Sequence, residues 1–210
     1  MNTIDPQNYS PVQNLFLQFH DRYLEVCLSE LKKLRKNLPE TVLRGLPRSI
    51  IHGDYYSHNI IWKGDEIAAV LDWEMAREDA RVYDIANEII IDALSENRTD
   101  LDVDKIVAYV RAYQEAAGLN RLTPEEIIAL PEMLREKALR LMNNRFEWIL
   151  RQRDARGLSA WPALVKFFKD LDRYKDQIIA RCLVIGEAVE GALQMANSPR
   201  YGITRQRNQL

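Results

Sequence analysis

The sequence predicts a mostly α-helical protein with one small β-hairpin. Three observations lead there. Apolar residues recur at helical spacing before residue 37 and through most of the chain after residue 102. β-like runs cluster between residues 49 and 71, two of them flanking Lys63-Gly64-Asp65, a tight-turn sequence. The 210 residues are 47% hydrophobic, enough for one core and within the size of one domain.

Residues 1–10 are polar around Pro6 and read as a loose start. From Val12 to Lys36, Leu15, Phe16, Phe19, Leu24, Leu28, Leu31 and Leu34 form an amphipathic stripe. Gly45 and Pro47 punctuate a link. The β-like runs are Ser49–Ile51, Asn59–Trp62 and Glu66–Leu71. Ile85, Ile89 and Ile90 mark a helix over Tyr83–Leu94. Asp102 is placed to cap a helix running to Ala117, and Gly118 supplies its stop. Thr123-Pro124-Glu125-Glu126 opens another, with a cap, Pro at the first position and Glu at the third. Pro131 is expected to break it or start a new one. A long helix follows over Glu132–Arg153, Gly157 ends it, and a last helix covers Pro162–Met195. Residues 1–197 therefore read as one domain, and 198–210 as a disordered tail.

A formal net charge of −2 gives no basis for nucleic acid or an anionic membrane as partner. No apolar run approaches the roughly 18 residues of a membrane span, and no charged-then-apolar leader opens the chain. Cys27 and Cys182 lie far apart in apolar helical patterns and read as buried free thiols, so a cytoplasmic setting is expected. The chain carries no Gly-x-Ser-x-Gly elbow and no Cys/His zinc spacing. Its three histidines are too few, in this arrangement, for a metallophosphatase.

The informative segment reads His52-Gly53-Asp54-Tyr55-Tyr56-Ser57-His58-Asn59, then Asp72-Trp73-Glu74, then Asp84. Phosphoryl transfer needs an in-line hydroxyl, a base beside it and metal ions on the phosphate oxygens. Asp54, in a turn after a short apolar strand, suits the base. Asn59 offers a neutral oxygen and Asp72 a charged one, a shell that Mg2+ completes with phosphates and water. A hairpin of Asn59–Trp62 with Glu66–Leu71 puts Asn59 and Asp72 at one open end, roughly 5 Å apart.

His-Gly-Asp-x-x-x-x-Asn, a hairpin, Asp-Trp-Glu and a later helical Asp resemble the aminoglycoside phosphotransferase and choline kinase family, small-molecule relatives of protein kinases. The likeness is tight over Ile50–Ala86. It implies that Asp54 is the catalytic base, that Asn59 and Asp72 bind Mg2+, and that His52 and Asp84 brace the loop. It further implies ATP as donor and a small-molecule hydroxyl as acceptor. The fold implied is the C-terminal lobe of a kinase-like protein. Many family members carry Pro-Gly where this chain has Ser57-His58.

Family members also place a strand-rich lobe with a Gly-rich loop upstream. Here 51 residues precede His52, Gly45 is the sole glycine before Gly53, and Lys32, Lys33 and Lys36 read as a solvated helix face. The expectation is an absent N-terminal lobe, little or no transfer by this chain alone, and an apolar face inviting self-association or a partner chain. The alternative function is a non-catalytic lone lobe that binds a partner or ligand. Elsewhere, Tyr109, Tyr113, Phe146, Trp148 and Trp161 read as core, and the basic run Arg135–Arg156 reads as a solvated helix face.

Overall fold

The computed structural model describes residues 11–95, 101–152 and 161–196. The elements are α1 (Pro11–Asn37), α2 (Glu40–Gly45), β1 (Arg48–Ile51), β2 (Ile60–Lys63), β3 (Glu66–Val70), β4 (Arg77–Ala80), α3 (Val82–Ser95), α4 (Val103–Ala116), α5 (Pro124–Gln152) and α6 (Trp161–Ala196). Short 3-10 turns occupy Ser57–Asn59, Trp73–Met75 and Gly118–Asn120. The chain is thus mostly helical, with two small antiparallel sheets. The loose start, Gly157 and the tail from Ser198 lie outside the described residues, as do the side chains of His20 and Trp148.

Helix α5 is the centre, with α1, α3 and α6 packed on it. From Glu126 to Leu139 it is buried on nearly every side, through Ile127, Leu130, Met133, Leu134 and Ala138. Its start is a reciprocal cap. The Thr123 N–H donates to Glu126 Oε2 at 2.8 Å, and the Glu126 N–H donates to Thr123 Oγ1 at 3.3 Å. Contrary to expectation, Pro131 sits inside an unbroken helix. Proline there forgoes one backbone hydrogen bond. Burial of the surrounding apolar turns holds the helix through that loss.

Helix α1 lies along α5. Tyr23 stacks on Phe146 with ring centroids 4.1 Å apart and leans on Trp161 at 5.1 Å. One turn further, Cys27 Sγ meets Met142 Sδ at 3.3 Å. The basic run of α5 is not a solvated face at its start, because Arg135 and Lys137 are both buried. Arg135 binds Glu30, Glu132 and Asp172, which joins α1, α5 and α6 through one guanidinium. Lys33 adds a second cation to Glu30 and Asp172, so it too departs from the solvated reading. The stripe Leu24, Leu28 and Leu31 stays exposed, on a face of α1 that borders a cavity.

Two elements escape the sequence patterns. The presumed link holds α2, one and a half turns with Glu40 and Arg44 paired along it. Arg77-Glu78-Asp79-Ala80 shows no β-like apolar alternation, yet it forms β4 against β1, from Arg48↔Ala80 to Ile51↔Arg77. That ladder places the polar strand, and Arg48 pairs with Glu78 and Asp79 across it at 3.6 and 3.8 Å. The second sheet is the expected hairpin, β2 with β3, with a register shift between Ile61 and Trp62. Cys27 and Cys182 are free thiols, Cys182 being buried and Cys27 half-buried. Among the described residues, no helix is long and apolar enough to cross a membrane.

Candidate active site

The loop after β1 carries His52 to Asn59, and five of its backbone groups are tied to side chains, three of them to side chains of α3. Asp84, in the first turn of α3, accepts the N–H of His52 at 2.7 Å and of Gly53 at 2.9 Å. Asn87, one turn on and fully buried, donates Nδ2 to the Tyr55 carbonyl at 2.7 Å. Asn59 donates Nδ2 to the Asp54 carbonyl at 2.9 Å. That carbonyl can only accept, so the amide nitrogen faces it and Oδ1 points the other way.

His52 is buried. Its Nδ1 accepts the Asp54 N–H at 3.3 Å, and its Nε2 lies 2.7 Å from the Leu71 carbonyl. A backbone N–H only donates and a carbonyl only accepts, so the ring is the Nε2–H tautomer. Leu71 is in turn bound to Asn59, its N–H donating to the Asn59 carbonyl at 2.8 Å. Through Leu71 the hairpin end and the loop become one unit, and the next residue is Asp72. Asp72 sits at φ 64 and ψ 54, the sole non-glycine residue with positive φ among the described residues. Such a conformation persists only where its surroundings impose it. Here the Leu71 bonds precede it, and Trp73 Nε1 donates to the Val70 carbonyl at 2.8 Å across it.

Gly53 is a steric necessity. Its φ is 81, and a Cβ there would stand 2.4 Å from the Met75 carbonyl oxygen and 2.6 Å from Arg77 Nη1. The loop therefore lies directly against the strand entering β4. Direct hydrogen bonds link His52, Asp54, Asn59 and Asp84, and Asp72 joins them through Leu71. Burial raises the Tyr56 phenol, and the charges of Asp54 and Asp72 add to it, so both carboxylates act on one hydroxyl. Asp84 is half-buried rather than fully buried; its two backbone partners are those expected.

Beside Asp54 opens a cavity of about 1160 Å³. The exposed leucine face of α1 forms one wall, and Gly53, Asp54 and Glu74 to Arg77 form another. The third comes from α5, with Glu136, Lys137 and Arg140. Tyr83 is buried at its base, with Arg77, Lys137 and Arg140 within 4.7, 5.2 and 6.0 Å of its ring centre. Burial raises the Tyr83 phenol, and Glu136 adds to that. Lys137 Nζ lies 4.0 Å from Asp54 Oδ1. Burial pushes its ammonium down, and the Asp54 charge works against that shift.

Lys137 and Asn87 were not singled out from the sequence. A signal for Lys137 existed, since it falls three residues after Leu134 and four before Leu141, on the apolar side of its helix. Nothing in the sequence marked Asn87 apart from its neighbours. His58 and Glu74 are exposed, and Glu74 borders the cavity.

As for metals, no group of three or more His, Cys, Asp or Glu able to hold an ion occurs among the described residues. One carboxylate from Asp72 with one amide oxygen from Asn59 is a donor set of hard oxygens. It fits Mg2+, which keeps water and phosphate ligands of its own, and does not fit zinc.

Comparison with known proteins finds homoserine kinases among the relatives. A homoserine kinase of Methylocella silvestris is 38% identical over 122 residues, covering 57% of this chain and 35% of that protein. One of Methylobacillus flagellatus is 36% identical over 102 residues, covering 49% and 31%. One of Zymomonas mobilis subsp. mobilis is 31% identical over 149 residues, covering 70% and 44%. The chain thus spans less than half the length of these curated relatives. The sequence model of the phosphotransferase enzyme family, APH, matches residues 7–125, more than half of the chain and all of the loop, hairpin and α3, and on that match the chain belongs to this family.

Proposed function

We propose that the chain is the helical lobe of a kinase-like phosphotransferase and carries its catalytic site. The reaction is transfer of the ATP γ-phosphate to the hydroxyl of a small molecule, with homoserine, the acceptor in the names of its relatives, as the substrate. One observation carries the reading. Asp54 borders a cavity large enough for a small molecule while its loop is held by five backbone hydrogen bonds at four residues, so a carboxylate is presented rigidly to whatever fills that space.

In this reading the acceptor hydroxyl donates its hydrogen bond to the Asp54 carboxylate. As the hydroxyl oxygen bonds to the γ-phosphorus, the bond to the β–γ bridging oxygen breaks and ADP leaves. Asp54 takes the hydroxyl proton. Asn59 and Asp72 would hold Mg2+, which supplies charge neutralisation on the phosphate oxygens. Asp84 and His52 keep the loop and the hairpin end in register, so that base and metal ligands move together. Two free thiols and the absence of a membrane-spanning helix among the described residues support a cytoplasmic setting.

The test is formation of phosphohomoserine from ATP and homoserine, with and without Mg2+. Asp54→Asn should lower the rate by about 10²–10⁴, the usual contribution of a positioned base.

A second reading, a lobe that binds without catalysing, is favoured by one observation. Ile50, Ile61, Trp62, Ile67, Leu71, Trp73 and Met75 are all exposed on the two sheets and the turn between them. So much apolar surface beside a site calls for a cover, whether a nucleotide base, another segment or another chain. Sedimentation of the purified protein separates self-association from a monomer.

A further inference from the structure

The charged groups around the cavity are not equivalent. Arg77 is committed to Asp79, with Nε donating at 3.0 Å, and to the Met75 carbonyl. Arg140 is committed to Glu136. Lys137 has no such commitment. Its side chain is 9% exposed, and its nearest carboxylate oxygen, on Asp54, is 4.0 Å away, beyond hydrogen-bond distance. No hydrogen bond to its ammonium exists among the described residues. Its ammonium has three donors and lines the cavity beside Asp54, so a ligand there meets a cation whose donors no protein acceptor among the described residues has taken. The aromatic face of Tyr83 at 5.2 Å gives it a cation–π contact and no lone pair to accept from it. The environment is one in which an added anionic oxygen would be held strongly, because burial weakens screening.

From this imbalance we infer that Lys137 is the acceptor-anchoring residue, binding a carboxylate of the small molecule whose hydroxyl Asp54 activates. This rests on the function proposed above and deepens it by naming the residue that selects for the acceptor's carboxylate. The spacing suits such a molecule. In homoserine three carbons separate the hydroxyl from the carboxylate group, so the two ends stand roughly 5–6 Å apart when extended. One end on Asp54 and the other on Lys137 would place the molecule in the cavity that both side chains line. An acceptor lacking the carboxylate would forgo a charge-assisted hydrogen bond at a weakly screened cation, and that loss is the source of discrimination.

The experiment is calorimetric titration of the 210-residue protein with homoserine and with 3-aminopropan-1-ol, which is homoserine without its carboxylate. Wild type should bind homoserine about tenfold to a hundredfold more tightly than the amino alcohol, the worth of one buried charge-assisted hydrogen bond. In Lys137→Met, folded by circular dichroism, that preference should vanish. Failure of wild type to bind homoserine, or equal binding of the two compounds, overturns the inference without any variant. A preference that survives Lys137→Met overturns it as well. In turnover, the loss should appear in KM for homoserine. An equal fall in kcat for both acceptors, with their KM ratio unchanged, would instead place Lys137 on the transferred phosphate. Should no phosphate transfer be seen while homoserine binding still depends on Lys137, the proposed reaction fails and the anchoring role stands.

Discussion

Asp84 receives the backbone N–H groups of both His52 and Gly53, at 2.7 and 2.9 Å. One carboxylate in the first turn of α3 thus fixes the point where β1 becomes the loop that ends in Asp54. The helix start is favourable for an anion, and each bond is charge-assisted.

Removing that carboxylate leaves two backbone donors facing a gap. Asp84→Ala should destabilise the protein by about 2–4 kcal/mol, from hydrogen bonds to a charged group worth about 1.5–3 kcal/mol each. Asp54→Ala, at a side chain 37% exposed, should change stability by about 0.5 kcal/mol or less. Thermal melts of the two variants check this ordering.

Gly53→Ala should be among the most damaging small substitutions in the chain. Its φ of 81 costs an alanine about 1–3 kcal/mol, and the new methyl meets the Met75 carbonyl oxygen at 2.4 Å. The strand entering β4 would have to shift, so both stability and any activity should fall. Denaturant unfolding and turnover of the same preparation measure the two effects.

Arg135 is the second critical tie. Arg135→Ala leaves buried Glu30 with Lys33 alone and buried Glu132 with the Asn37 amide alone, and should cost about 3 kcal/mol. Arg135→Met, which fills the same space, loses the same ion pairs. Combined with Glu30→Gln and Glu132→Gln, it should recover much of the loss. Denaturant midpoints of the series give the answer.

The same network sets an acid limit. Burial works to raise the Asp172 carboxyl, but bonds from Lys33 and Arg135 prevail and hold it below its ordinary value of 3.8. A carboxylate lowered on folding stabilises the folded state above its unfolded value, and the contribution is lost as pH falls through the folded value. Asp172→Asn should therefore narrow the difference in melting temperature between pH 7 and pH 3. Unchanged pH dependence in that variant would remove Asp172 from the acid response.

The loop and hairpin were readable from the sequence because their chemistry is local. A turn glycine, an Asp and an Asn within seven residues, and a second Asp after a tight hairpin, mark the candidate site. Helix starts were equally plain, as the Thr123–Glu126 cap shows. What stayed hidden depends on distant partners. The strand Arg77–Ala80 exists because β1 lies beside it. The helix through Pro131 is held by neighbours on every side. Lys137 reaches Asp54 across 83 positions of sequence, and only packing brings the two together.

The central claim is that Asp54 is the base of a magnesium-dependent phosphate transfer to homoserine. Its most direct test is a radiometric assay with γ-labelled ATP, at high concentrations of protein, nucleotide and homoserine. Transfer by the 210-residue protein should be slow but measurable. It should still require Mg2+ and fall by about 10²–10⁴ in Asp54→Asn. Transfer that survives Asp54→Asn, or no magnesium-dependent transfer above a heat-denatured control, would contradict the account.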